Sequence, residues 1–141
     1  MAKNAVFPYT ESLVEIWTLA ATAAPGTPVV GGPNGAQPGV TLTGTGDYKV
    51  ATNVGPYTIS GIPRGGVGLE AKQASVCTDG TWEFAVAGAD LTTAQNALVY
   101  ITSAGALTLT VGTNKVFGKV NYPQDYVKVA GTLPVKIGVF A

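Results

Sequence analysis

Leu98–Tyr122 reads LVYITSAGALTLTVGTNKVFGKVNY. Apolar and hydroxyl side chains alternate through it with a period of two, the spacing that sends neighbouring side chains to opposite faces of a strand. Two tight turns divide it into three strands, the first of them at Ser103-Ala104-Gly105-Ala106. Its side chains suit the building of sheets and offer nothing for catalysis. The most regular stretch of the chain is thus chemically silent.

Working outward, the same pattern recurs. Ala74–Thr78 and Thr81–Val86 flank Asp79-Gly80. An Asp-Gly between alternating runs predicts a hairpin, because a type I′ turn needs positive φ at both central residues. Trp82, Phe84 and Val86 would share one face, with Val76 opposite. Ala97–Thr102 pairs with Leu107–Val111, and further strands are expected at Val116–Tyr122, Tyr126–Val129 and Val135–Phe140. Asp90–Asn96 reads as a turn or a single helical turn, too short to stand as a helix.

The first half is dominated by turn residues. In Ala23–Asp47, AAPGTPVVGGPNGAQPGVTLTGTGD, each interior Pro costs a helix about 3 kcal/mol and each Gly about 1 relative to Ala. Short extended pieces are left at Pro28–Val30 and Val40–Thr43, with further brief strands over Tyr48–Pro63 punctuated by Gly55-Pro56 and Gly61. Ser12–Leu19 reads as a strand from its β-branched and aromatic content. The fold class expected is all-β, a small sandwich or barrel. Residues 1–11 form an N-terminal arm, and residues 12–141 a single domain with a possible subdivision near 70.

Charge narrows the function. Charged residues make up only 11% of the 141, against roughly 25% in ordinary globular domains. Eight basic residues balance eight acidic ones, so no net field draws nucleic acid or an anionic membrane. A charge-poor surface is a colloidal liability for a free monomer and hints at coverage by partners. No apolar run reaches the 18 or so residues that cross a bilayer. Pro8, Glu11 and Glu15 interrupt any signal-type apolar run near the start, so synthesis in a reducing cytoplasm is expected.

There is no histidine, which removes Ser-His-Asp and Cys-His arrangements and most zinc sites. The carboxylates are scattered and without calcium-loop spacing; a glycosidase-type pair drawn from them competes with plain roles in turns and rims. Cys77 lies alone on an expected strand and reads as a small buried hydrophobe rather than a nucleophile. The Gly-rich pieces 31–35, 44–46 and 65–68 lack the phosphate-loop pattern and read as turns. No catalytic residue, cofactor or metal is assigned.

Contact candidates remain. Arg64, the lone arginine, is either an anchor to a partner carboxylate or an exposed turn cation. Phe7 and Tyr9 on the arm either tuck into their own core or dock on a neighbouring subunit, and Glu11 completes the group. Trp17, Trp82, Tyr48, Tyr57, Tyr100, Tyr122 and Tyr126 are either core residues or a stacking platform for sugar.

The C-terminal two-thirds resembles the tailed-bacteriophage head decoration, or capsid cement, proteins. The likeness rests on the Met-Ala-Lys-Asn opening of the arm, on Gly26-Thr27-Pro28-Val29-Val30-Gly31-Gly32, and on Leu98–Thr108 followed by Asn114 and Phe117-Gly118. It also takes in the closing apolar run Val135-Lys136-Ile137-Gly138-Val139. Residues 33–70 depart from the family pattern, being richer in Gly and Pro. The resemblance implies a non-enzymatic virion protein, made in the host cytoplasm, that binds the outer face of the expanded head. It implies the major capsid protein as partner and a homo-oligomer, commonly a trimer at local three-fold positions. The rival readings are a carbohydrate-binding or adhesin-like β-sandwich, a tail or fibre domain, and a small hydrolase.

Overall fold

A computed structural model describes residues 14–31, 35–46, 49–63 and 71–137. They form eleven strands and, among the described residues, no helix. In chain order the strands are β1 (Val14–Thr18), β2 (Pro28–Gly31), β3 (Gln37–Thr41), β4 (Lys49–Val54), β5 (Tyr57–Pro63) and β6 (Gln73–Cys77). They continue as β7 (Gly80–Ala87), β8 (Leu98–Ile101), β9 (Leu107–Thr108), β10 (Lys115–Val120) and β11 (Thr132–Ile137). Three sheets result: a four-stranded sheet ordered β1-β6-β3-β2, a lone β4–β5 pair, and a closed barrel ordered β10-β11-β7-β9-β8. The all-β expectation holds, with the barrel as its main body.

The barrel is the work of period-two patterning. Trp82, Phe84 and Val86 of β7 point inward, while Glu83, Ala85 and Ala87 are exposed. They meet Val99 and Ile101 of β8, Phe117 and Val120 of β10, and Leu133, Val135 and Ile137 of β11. Phe84 and Phe117 pack edge to face at 5.8 Å and 79°. Each large aromatic removes roughly 150–250 Å² from water, about 4–6 kcal/mol before entropy is counted. β7 runs parallel to β9 and antiparallel to β11.

The four-stranded sheet curls around Trp17. The indole starts on one edge strand, yet a Cβ placed on Gly31 of the other edge strand would lie 2.5 Å from its Cε3. Gly39 beneath it leaves room for both the ring and Val76. Leu19, Ala23, Ala74 and Val76 complete this second, smaller core. The buried hydroxyls are satisfied: Thr41 Oγ1 donates to Ala24 O at 2.6 Å, and Thr45 Oγ1 accepts from Ala23 N at 3.3 Å. The sheet's opposite face supplies Val40 and Cys77 to the barrel core, so the two bodies share apolar contacts.

The Asp79-Gly80 hairpin does not form. β6 pairs with β1 and β3, whereas β7 pairs with β11 and β9. Asp79-Gly80 is instead the corner where the chain leaves one sheet for the other. Only Gly80 has positive φ, at 98°. The Asp79 carbonyl accepts from Trp82 Nε1 at 2.9 Å and from Cys77 Sγ at 3.3 Å. Buried side chains thus anchor a carbonyl that a two-residue hairpin would leave unpaired at the centre of its loop. Val76 accordingly packs with Trp17, not opposite Trp82.

Smaller differences follow the same logic. Tyr126–Val129 is loop with one bridge, Val129 to Thr132. Gly61 lies inside β5, and Leu107–Val111 shortens to the two residues of β9. The last strand starts earlier than expected, at Thr132. The Asp90–Asn96 turn and the pairing of β8 with β9 are as expected.

Candidate functional site

The contact candidates Phe7, Tyr9, Glu11 and Arg64 all lie outside the described residues, as do Tyr48 and the carboxylates Glu11, Asp47 and Glu70. Three surfaces among the described residues have the character of a site.

The first is a polar and aromatic cluster where the 88–97 and 121–131 loops meet. Asp90 Oδ1 accepts from Thr92 N at 2.8 Å and Thr92 Oγ1 at 2.7 Å. These bonds hold its carboxyl below the usual carboxylate range. Tyr122 OH donates to Thr93 O at 3.1 Å, and Tyr126 OH donates to Glu83 Oε2 at 2.9 Å. The two rings lie 5.6 Å apart, and Lys128 Nζ sits 4.3 Å above the Tyr122 ring while donating to Thr93 O. Loss of solvent, and then the Glu83 carboxylate, push the Tyr126 phenol up to about 12. Loss of solvent also raises Tyr122. Both phenols donate inward, and one face of Tyr122 is taken by Lys128. The cluster is a clasp between loops, with its hydrogen-bonding groups already engaged.

The second is a groove of about 490 Å³ between the Leu19–Ala23 segment, β2 and the Ile101–Gly105 turn. Its walls are mostly apolar or small, and Lys115 Nζ reaches across one end to donate to Gly35 O at 2.7 Å. Among the described residues no His, Cys, Asp or Glu cluster could hold a metal ion. Each described carboxylate but one has a local partner: Glu15 accepts from Trp17 Nε1 at 2.8 Å, Asp79 from Gly80 N at 2.7 Å, and Glu83 and Asp90 as above. Asp125 sits at a positive-φ turn. Cys77 is fully buried.

The third is apolar and divided. The β4–β5 hairpin ends in Val54-Gly55-Pro56-Tyr57, with Val54 54% and Tyr57 74% exposed. Gly55 has φ of 60°, as the first position of a type II′ loop requires, and Pro56 suits the second. The pair is hydrogen-bonded to no other described strand. Separately, the edge strand β1 exposes Val14 and Ile16. Sequence reasoning treated Gly55-Pro56 as punctuation only. The available signal was a two-residue Gly-first loop between the alternating runs KVATNV and YTISGI.

No family model, curated protein or solved structure matches the chain.

Proposed function

We propose that this protein is a structural virion component that decorates the outer surface of an expanded phage head and ties neighbouring major capsid proteins together, without catalysis. The observation that carries the reading is the β4–β5 hairpin. Two strands alone are marginally stable in water. This pair has a well-formed turn and an apolar tip that no described part of the chain covers. Seated between lattice subunits, the tip buries Val54 and Tyr57 and the hairpin gains the third surface it lacks.

The chemistry of the rest suits such a role. A protein that binds only the assembled lattice stabilises it by linkage, and many copies on one shell let each contact be modest. Neutral surfaces rich in Val, Thr and Ala need no charged partner. The sequence resemblance to capsid cement proteins points the same way.

The test is co-sedimentation of the purified protein with undecorated expanded heads. We expect the wild-type chain to pellet with the heads, and a Val54→Ser/Tyr57→Ser variant to stay largely in the supernatant. A wild-type chain that remains in solution while intact heads sediment would end the proposal.

A further inference from the structure

We propose that β1 is a self-association edge, along which two copies of the chain pair antiparallel about a two-fold axis at Ile16. This inference is independent of the capsid reading. It begins from the direction of the main-chain groups. Leu19 N–H donates to Lys72 O at 3.0 Å, continuing the antiparallel register in which Thr18 faces Gln73. In such a ladder both main-chain groups of one residue point to the same side, and the side alternates. The odd-numbered residues of β1 therefore aim at β6, and Val14, Ile16 and Thr18 aim their N–H and C=O at the outer edge. Among the described residues β1 pairs with β6 alone.

That edge lacks most of the devices that usually protect one. Charged side chains, Pro and bulges blunt exposed edges; Val14-Glu15-Ile16-Trp17-Thr18 has no Lys, Pro or bulge, and its one charge, Glu15, lies on the opposite face from Ile16, where it accepts from the Trp17 indole. The opposite edge, β2, opens on Pro28, which has no amide to donate. The side chains of the open edge are apolar as well: Ile16 is 63% and Val14 48% exposed, on the same face as Thr18.

A second copy fits this strand better than an arbitrary peptide does, because the strand complements itself. With Ile16 opposite Ile16, Val14 faces Thr18 of the second copy and Thr18 faces Val14. Every such pair joins β-branched side chains on one continuous face, a favourable cross-strand combination, and exchanges both main-chain bonds. On the other face Glu15 falls opposite Trp17 of the second copy, so no like charges are opposed. Within its own chain Glu15 already accepts from the Trp17 indole.

The register makes the test sharp. A directly opposed hydrogen-bonded pair has Cα atoms about 5.5 Å apart, inside the roughly 4.4–6.8 Å that a disulfide spans. In the full-length chain under mild oxidation, Ile16→Cys is expected to give a disulfide-linked dimer. Val14→Cys and Thr18→Cys should each form no disulfide-linked dimer alone and should cross-link when mixed. Buried Cys77 should take no part. Sedimentation velocity of the wild-type chain should show dimer, and Ile16→Lys, which sets two ammonium groups against each other, should show monomer at the same concentration. A wild-type dimer that survives Ile16→Lys would overturn the proposal. So would an Ile16→Cys chain that stays monomeric but cross-links to capsid protein on decorated heads, which would give the edge to a lattice strand instead.

Discussion

In the barrel each strand has a hydrogen-bonded neighbour on both sides, whereas among the described residues the curled sheet ends in the two open edges β1 and β2 and the β4–β5 pair is open on both sides. Both regions are built from the same Val, Thr, Gly and aromatic vocabulary. The difference lies in closure. The barrel gathers its largest side chains on one shared interior and removes its own edges, leaving exposed apolar groups such as Leu91, Val111 and Val127 in its loops. The amino-terminal half has a core of one tryptophan and a few small residues, and leaves apolar groups at an edge and at a hairpin tip. The larger core therefore lies in residues 80–137, and the open strand edges lie in the strands before them.

The harshest test of that division is Phe117→Ala. Phe117 is fully buried against Phe84, and its loss should cost about 3–5 kcal/mol in urea denaturation. The two tryptophans then report each region separately, Trp17 in the sheet core and Trp82 in the barrel core. Trp17→Phe leaves fluorescence that follows the barrel, and Trp82→Phe leaves fluorescence that follows the sheet. Because Val40 and Cys77 join the two cores, the two midpoints should coincide. Separated midpoints would show that the regions unfold as independent units.

A milder comparison uses two tight glycines. A Cβ on Gly118 would lie 2.6 Å from the main-chain oxygen of Lys136 and 2.5 Å from Val135 Cγ1, so β10 and β11 would have to part. The atoms nearest a Cβ on Gly39 belong to side chains, Val76 and Trp17. Overpacking of this kind costs about 1–3 kcal/mol. We expect Gly118→Ala at or above the top of that range and Gly39→Ala below it. Adding Val76→Ala should recover part of the Gly39→Ala loss, since the two sites are in contact. Equal costs, or no recovery, would count against the difference in rigidity.

What could be read in advance follows the same boundary. The alternation of Trp82, Phe84 and Val86 with Glu83 and Ala85 locates a half-buried strand from pattern alone, because one face of β7 meets the core and the other meets water. The Ser103–Ala106 turn was legible for the same local reason. Asp79-Gly80 was not: the donors that capture its carbonyl, Cys77 and Trp82, turn its local preference into a corner only once the two cores exist. Nor does any local signal state that β1 is an edge, since that depends on which strand fails to come alongside. The site candidates Phe7, Tyr9, Glu11 and Arg64 fall outside the described residues, and the hairpin tip was passed over because turn chemistry marks a turn without saying what the flanking residues will touch.

The loop clasp gives the barrel a specific alkaline weakness. An acid whose folded pKa lies above its ordinary value favours folding while neutral. The ordinary tyrosine value is 10.0 and Tyr126 is raised to about 12. Its contribution is therefore complete below pH 10 and is lost as pH climbs from there toward 12. Tyr126→Phe should lower the melting temperature slightly near neutrality, for want of the Glu83 hydrogen bond, and should reduce the fall over that alkaline range. An unchanged alkaline slope would mean that other groups, lysines among them, set it.

The smallest effect on stability is expected at the hairpin tip, where we propose the capsid contact. Val54 and Tyr57 are exposed beside Gly55 and Pro56, and the side-chain bond described there, Thr58 Oγ1 to Asn53 Oδ1 at 3.0 Å, does not involve them. Replacing both with Ser should move the urea midpoint by no more than the roughly 0.5 kcal/mol typical of surface changes. The same variant should lose most of its retention on expanded heads, because a tip that contributes nothing to the free fold is free to contribute to a complex. If instead it unfolds the chain, Val54 and Tyr57 belong to the interior economy of the protein. The contrast between a closed, stabilising barrel and an open, recognising half would then have to be redrawn around the hairpin.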